Sequence, residues 1–358
     1  MRNVALTLAA VFSMPFALPG AAFALDHFKL LDLHVGTQRF TGRILTHNDD
    51  SCWFLCRDGR LRQIAMDKVT DFSEASDRFK AHSQIELKRN LQSEFGKNFE
   101  ISTTSNYVVV ARHGSADIYA SIFDRIYREF VRSFSARGFD VSKPEFPLIA
   151  IVFPDRAGFT KYCHDEGIHV QTGLVGNYLL SSNRIAMFER PDATELDSTV
   201  IHEATHQVAF NTGIHSRLAQ HPKWVVEGLA TVFEAEGVRS RQDLSTPADR
   251  INRERYLWFQ EYSRTRRSAH SLASFVRDDR RFETATLDAY SEAWALSFFL
   301  IETRSTEYGK YLKQLADRDP LKDYNAESRL NDFTNAFGKD INSLEDLYLR
   351  YIGRISGR

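Results

Sequence analysis

In the stretch TVIHEATHQVAFNTG (199–213), two histidines lie four residues apart and a glutamate directly follows the first: His202, Glu203 and His206. On a helix, residues four apart share a face with side chains about 5–6 Å apart. Both imidazoles can then reach one Zn²⁺. Glu203 falls outside that row and can reach a water held by the metal, the division of labour that a His-Glu-x-x-His spacing provides. A hydrolytic zinc also needs a third protein ligand and one open position. Ala209 and Thr212 occupy the places where a metzincin would carry a glycine and a third histidine. His215 and His221 are alternatives in the loop HSRLAQHPKW. The better candidate is Glu227 in PKWVVEGLATVFEAEG (222–237), which completes a set of two histidines and a carboxylate.

Two helices must carry these groups. Thr194 with Asp197 three residues on is a capping-box pattern, and Gly213 suits the left-handed residue that ends a helix, which predicts a helix from about Glu195 to Thr212. Val200, Ala204 and Val208 give it an apolar stripe. Pro222 suits a first helical position and Gly237 a helix end, so Glu227 is expected on a second helix where Gly228 permits close approach. Glu234 falls two turns further along roughly the same face. Support of a ligand from behind and plain solvation are both open to it.

With these motifs in place, the sequence resembles the gluzincin superfamily of zinc peptidases, also called peptidase MA-like. In aminopeptidase N-like members, His-Glu-x-x-His is followed by a Glu-Gly-x-Ala helix whose glutamate is the third ligand, matched here by Glu227-Gly228-Leu229-Ala230. Further on they carry a transition-state tyrosine at the start of a helix, and Tyr290-Ser291-Glu292-Ala293 stands at the corresponding distance. The resemblance is nearest to an uncharacterised bacterial family of unknown function, whose features include NxxY-type strands before the motif, Trp224-x-x-Glu227-Gly228-Leu229-Ala230 after it, and the helix Tyr290 to Leu296; Asn177 and Tyr178 are candidate substrate contacts. It covers about residues 90 to 355. It implies a zincin-like fold, Zn²⁺ on His202, His206 and Glu227, and Glu203 as general base. It also implies Tyr290 as oxyanion donor and a peptide or protein substrate. The hairpin Asn177 to Phe188 then corresponds to the edge strand of related peptidases, able to bind an extended peptide as an added strand or simply to cover the core. No Gly-x-Met-Glu-Asn segment is present, so aminopeptidase specificity does not carry over.

The rest of the chain sets the context. At 358 residues with 43% hydrophobic and 26% charged residues, it has the composition of a globular protein. A net charge of -1 gives no electrostatic case for nucleic acid. Arg2, the apolar run Val4 to Met14 and the ending Ala22-Phe23-Ala24 describe a signal peptide over 1–24, cleaved before Leu25. The expected product is exported, periplasmic or secreted, with no stable membrane span after cleavage. Cys52 and Cys56 lie on one predicted strand, too far apart to pair with each other. Pairing of one with Cys163 and buried free thiols both remain open.

Residues 25–75 alternate apolar and polar positions between turn signals at Asn48-Asp49-Asp50 and Asp58-Gly59, which predicts about five short strands in a small SH3-like or Sm-like barrel. Such a module could engage an envelope protein partner. Residues 76–97 read as a connector. From 98 to 358 the pattern predicts an α+β zincin-like metallopeptidase domain, a small β-sheet followed by a helical half. The expected function is that of an exported zinc metallopeptidase; the alternative is a non-catalytic zinc-containing envelope binding or scaffold protein.

Overall fold

The computed structural model describes residues 29–171, 173–190, 198–240 and 246–355. The predicted signal peptide and the capping residues Thr194 and Asp197 lie outside them. The architecture is α+β, with an N-terminal five-stranded antiparallel sheet and a helical C-terminal half joined through a second five-stranded sheet.

Strands β1 (Leu30–Val35), β2 (Gln38–His47), β3 (Ser51–Cys56), β4 (Leu61–Ala65) and β5 (Val69–Ser76) form the first sheet in the order β4-β3-β2-β1-β5. The predicted turns join β2 to β3 and β3 to β4, and Gly59 has the left-handed φ of 88° that its turn requires. The expected barrel is corrected, because among the described residues β4 and β5 do not pair and the sheet stays open. A single-turn 3₁₀ segment, Met66–Lys68, carries the chain from one edge of the sheet to the other. All three cysteines are buried free thiols.

Helix α1 (Gln84–Phe95) occupies the predicted connector, opened by a capping box of Ser83 and Glu86. The second sheet follows: β6 (Phe99–Thr103), β7 (Tyr107–Arg112), then α2 (Ala116–Ala136), β8 (Leu148–Phe153), α3 (Arg156–Asp165), β9 (Gly176–Leu179) and β10 (Arg184–Phe188). Its order is β6-β7-β8-β10-β9, with β7, β8 and β10 parallel and β9 an antiparallel edge. Alternate residues of the central strands serve opposite faces. Val109, Ala150 and Ile185 join Phe123 and Phe130 of α2, whereas Val108, Ile149 and Ala186 join Leu87 of α1 and Phe159 of α3. Because both faces are covered, β8 (LIAIVF) is buried throughout and reads as a continuous apolar run.

The helical half comprises α4 (Ser198–Asn211), α5 (Lys223–Phe233), α6 (Glu236–Arg239), α7 (Arg253–Thr265), α8 (Leu272–Arg277), α9 (Arg281–Thr284), α10 (Thr286–Thr303), α11 (Ser305–Ala316), α12 (Ala326–Phe337) and α13 (Ile341–Arg354). Helix α4 sends Val200, Ala204 and Val208 into the core shared with α2. Helix α5 ends at Phe233, one turn before the predicted stop at Gly237. Gly228 lets α5 lie flush on α10: a Cβ there would stand 2.1 Å from Ser297 Oγ and 2.5 Å from the Ala293 carbonyl oxygen. Among the described residues no helix is long and apolar enough to cross a membrane.

The first sheet is tied to the second. Leu61 N–H donates to Ser181 O at 2.7 Å, and Arg217, from the loop after α4, donates to Gly59 O at 2.8 Å and Leu180 O at 2.7 Å. Beneath these bonds, Leu55 and Leu61 share an apolar cluster with Phe79 and Phe146.

Candidate metal centre

Helices α4 and α5 bring His202, His206 and Glu227 to one point. His202 Nε2 lies 3.0 Å from His206 Nε2 and 3.1 Å from Glu227 Oε2, and His206 Nε2 lies 3.4 Å from the same oxygen. A tetrahedral ion with ligand bonds of about 2.0–2.1 Å has ligand-to-ligand edges of about 3.3–3.4 Å. The triangle is therefore close to one face of such a coordination shell. Two facing imidazole nitrogens can share only one proton, whereas a cation can accept both lone pairs and the carboxylate together. These three residues are the group of potential metal ligands found among the described residues, and their donor set fits a metal ion.

The remaining predicted residues are arranged around that group. Glu234, at the C-cap of α5, accepts a hydrogen bond from His202 Nδ1 at 2.7 Å. That bond fixes the ring and turns Nε2 toward the other ligands, the usual arrangement behind a metal-binding histidine. Asn252, the N-cap of α7, then donates to Glu234 Oε2 at 2.7 Å and to the Thr231 carbonyl at 3.0 Å. Sequence reasoning missed Asn252. Its only local signal is its suitability as a cap, and its approach to Glu234 depends on how two helices cross.

Glu203 is 9% exposed and stands outside the ligand triangle. Its Oε2 accepts the Tyr178 backbone N–H at 2.6 Å, so the edge strand β9 holds the carboxylate. At Gly176 a Cβ would crowd Met187 Cβ at 3.2 Å and Thr199 Cγ2 at 3.3 Å, so β9 packs closely against β10 and α4 there. The Tyr178 ring turns into the core and its hydroxyl donates to Asn183 Oδ1 at 2.8 Å, leaving the backbone N–H as the group it offers the site. Asn177 pairs with Ala186 in the β9–β10 ladder.

Tyr290, on α10, packs its ring 6.4 Å from that of His202 and 5.5 Å from that of Phe282. The Arg255 guanidinium lies 5.7 Å from the Tyr290 ring centroid. His215 and His221 stay apart from the ligand group. They pack against each other with ring centroids 5.0 Å apart and against Phe210.

Burial dominates the electrostatics, and specific neighbours decide its outcome. For His202 burial works against the charged ring, but its hydrogen bonds to the Glu227 and Glu234 carboxylates outweigh it and hold the group well above its ordinary value. For Glu227 burial works the other way and is outweighed by His206 and His202, leaving the carboxylate below its usual range. The Tyr290 hydroxyl is raised by burial and then by Glu227, with Arg255 opposing. A site that draws a proton toward Nε2 this strongly also draws a cation, and the two compete for the same lone pairs.

Residues 197–322 match the model of a family described as a protein of unknown function (DUF1570), a span that contains the ligand triangle, Glu234, Arg255 and Tyr290. A search of curated proteins finds no match.

Proposed function

We propose that this chain is a zinc-dependent metallopeptidase of gluzincin type, acting in an exported, periplasmic or secreted setting. The observation that carries the reading is the convergence of His202, His206 and Glu227 beside two groups that a purely structural metal would not need, Glu203 and Tyr290. When bound, zinc supplies Lewis-acid chemistry: it polarises a carbonyl and makes water more acidic. The steps assigned to the chain are proton and charge handling. Glu203, steadied by the Tyr178 N–H, accepts the proton of the attacking water and delivers it to the nitrogen released when the C–N bond breaks. Tyr290 donates its hydroxyl hydrogen bond to the carbonyl oxygen as negative charge develops there. Glu234 and Asn252 keep the His202 ring in register. Strand β9 is the edge of its sheet, so an extended peptide can lie along it near Asn177 and Tyr178.

The test is a peptide-library cleavage profile of purified protein beside Glu203→Gln and Glu227→Ala, with zinc measured in each. Wild-type protein is expected to hold about one zinc per chain and to cleave. Glu203→Gln should keep the metal and lose cleavage, while Glu227→Ala should lose the metal. Cleavage by Glu203→Gln at the wild-type rate would refute the assignment. A zinc-loaded wild type that cleaves nothing in the library would favour a non-catalytic role.

A further inference from the structure

Arg255 lies on α7 beside Tyr290, and its guanidinium is largely covered without a close protein acceptor among the described residues. The side chain is 19% exposed, yet no hydrogen bond from its guanidinium is found among the described residues, and its Nε is buried without a partner. The nearest carboxylate oxygen belongs to Glu254 at 3.6 Å, on a side chain that is 79% exposed and therefore well solvated. Several covered arginines carry a close carboxylate that Arg255 lacks: Arg184 with Glu94 at 2.6 Å, Arg250 with Glu302, and Arg267 with Glu292 and Glu345.

The guanidinium stands over Tyr290, 5.7 Å from the ring centroid. An aromatic ring attracts the positive charge but offers no oxygen to its five N–H donors. Every carboxylate close to the centre is engaged elsewhere: Glu227 and Glu234 with His202, and Glu203 with the Tyr178 N–H. The backbone that carries Arg255 is also fixed, because the N-cap of the same helix, Asn252, holds Glu234 from behind His202. A guanidinium mounted on a fixed helix, with a buried Nε and no protein acceptor among the described residues for its N–H groups, is matched by a planar anion that can accept two parallel hydrogen bonds.

We propose that Arg255 anchors a carboxylate of the bound peptide beside Tyr290, so that the site selects substrates carrying an acidic side chain or a free chain end near the bond to be cleaved. The inference rests on the reading of this centre as a site that receives peptides.

Binding tests it without requiring turnover. The probes are alanine hexapeptides, fluorescein-labelled at the N-terminus, in which one Glu is moved through the six positions. The matching Gln series is made in parallel, and each peptide is made as free acid and as C-terminal amide. Fluorescence anisotropy gives Kd for full-length zinc-loaded Glu203→Gln protein, with and without Arg255→Gln. At one position Glu should bind roughly tenfold or more tighter than Gln if the anion is a side chain, or the acid tighter than the amide if it is the chain end. Arg255→Gln should erase that preference and leave the neutral amides nearly unchanged. Arg255→Lys, which keeps the charge but loses the fork, should lie between; it also carries the test if Arg255→Gln does not fold.

Equal affinity for the carboxylate and neutral series, or a preference that survives Arg255→Gln, would overturn the proposal. Turnover by wild-type protein is recorded separately. A preference dependent on Arg255 without any cleavage would count against hydrolysis and uphold the anchor, whereas cleavage without that preference would do the reverse.

Discussion

At the scale of single residues, Tyr290 is where packing and chemistry can be separated. Its ring fills space between Phe282 and His202, a role that phenylalanine would also fill. Its hydroxyl feels the negative charge of Glu227, one of the metal-ligand candidates. In Tyr290→Phe the ring contacts survive and the proposed oxyanion donor is lost, so on that proposal kcat should fall by about 100- to 1000-fold. KM should move far less, because the bond strengthens only as charge develops. Steady-state kinetics with zinc content and melting temperature as controls decides the matter. Near-normal kcat in a folded, zinc-loaded variant would reduce Tyr290 to a packing residue.

At the scale of elements, the centre depends on α5 lying flush on α10, because Glu227 comes from one helix and Tyr290 from the other. Gly228→Ala would drive a methyl into Ser297 Oγ and the Ala293 carbonyl. The second is backbone and cannot turn aside. We expect a loss of about 1–3 kcal/mol, as for overpacked cores, and weaker metal retention. Adding Ser297→Ala should restore only part of it. Denaturant midpoints of the single and double variants test this, and unchanged stability in Gly228→Ala would mean that the helices separate freely. The same helices show what was legible in the sequence. The hairpin β9–β10 stood out because its apolar alternation lies within one continuous stretch, Asn177 to Phe188. The barrel misreading arose because alternation along a strand reports its two faces and says nothing of whether the sheet edges meet. His202, His206 and Glu227 were readable from spacing and residue type. Asn252 and Arg255 were not, since α7 reads RERYLWFQEYSRT, a charged surface helix by composition. Its approach to Glu234 and Tyr290 follows from helix crossing, which no local pattern encodes.

At the scale of the whole molecule, charge burial sets the response to acid. Burial keeps His215 well below its ordinary pKa and pushes His221 down to about 4. Both are neutral in the fold, while in the unfolded chain each takes a proton near the usual value of about 6.5. Unfolding therefore binds protons between those values, so their contribution to stability is complete above about pH 6.5 and declines as the pH falls toward 4. For His221 the difference amounts to about 3 kcal/mol at the acid end. His202, held above its ordinary value, titrates on the other side of this window. Urea midpoints from pH 7 to 4.5 should fall steadily, and more gently in His221→Asn; a flat profile would show that these rings are solvated. The other whole-molecule feature is the seam between the two sheets. Arg217 grips the turns at Gly59 and Leu180 together, and Leu180 directly follows β9, the strand whose Tyr178 N–H holds Glu203. In mechanical terms the N-terminal sheet is a handle on the edge strand. A load applied to that sheet would pass through Arg217 into β9 and reach the Glu203 carboxylate without anything touching His202, His206 or Glu227.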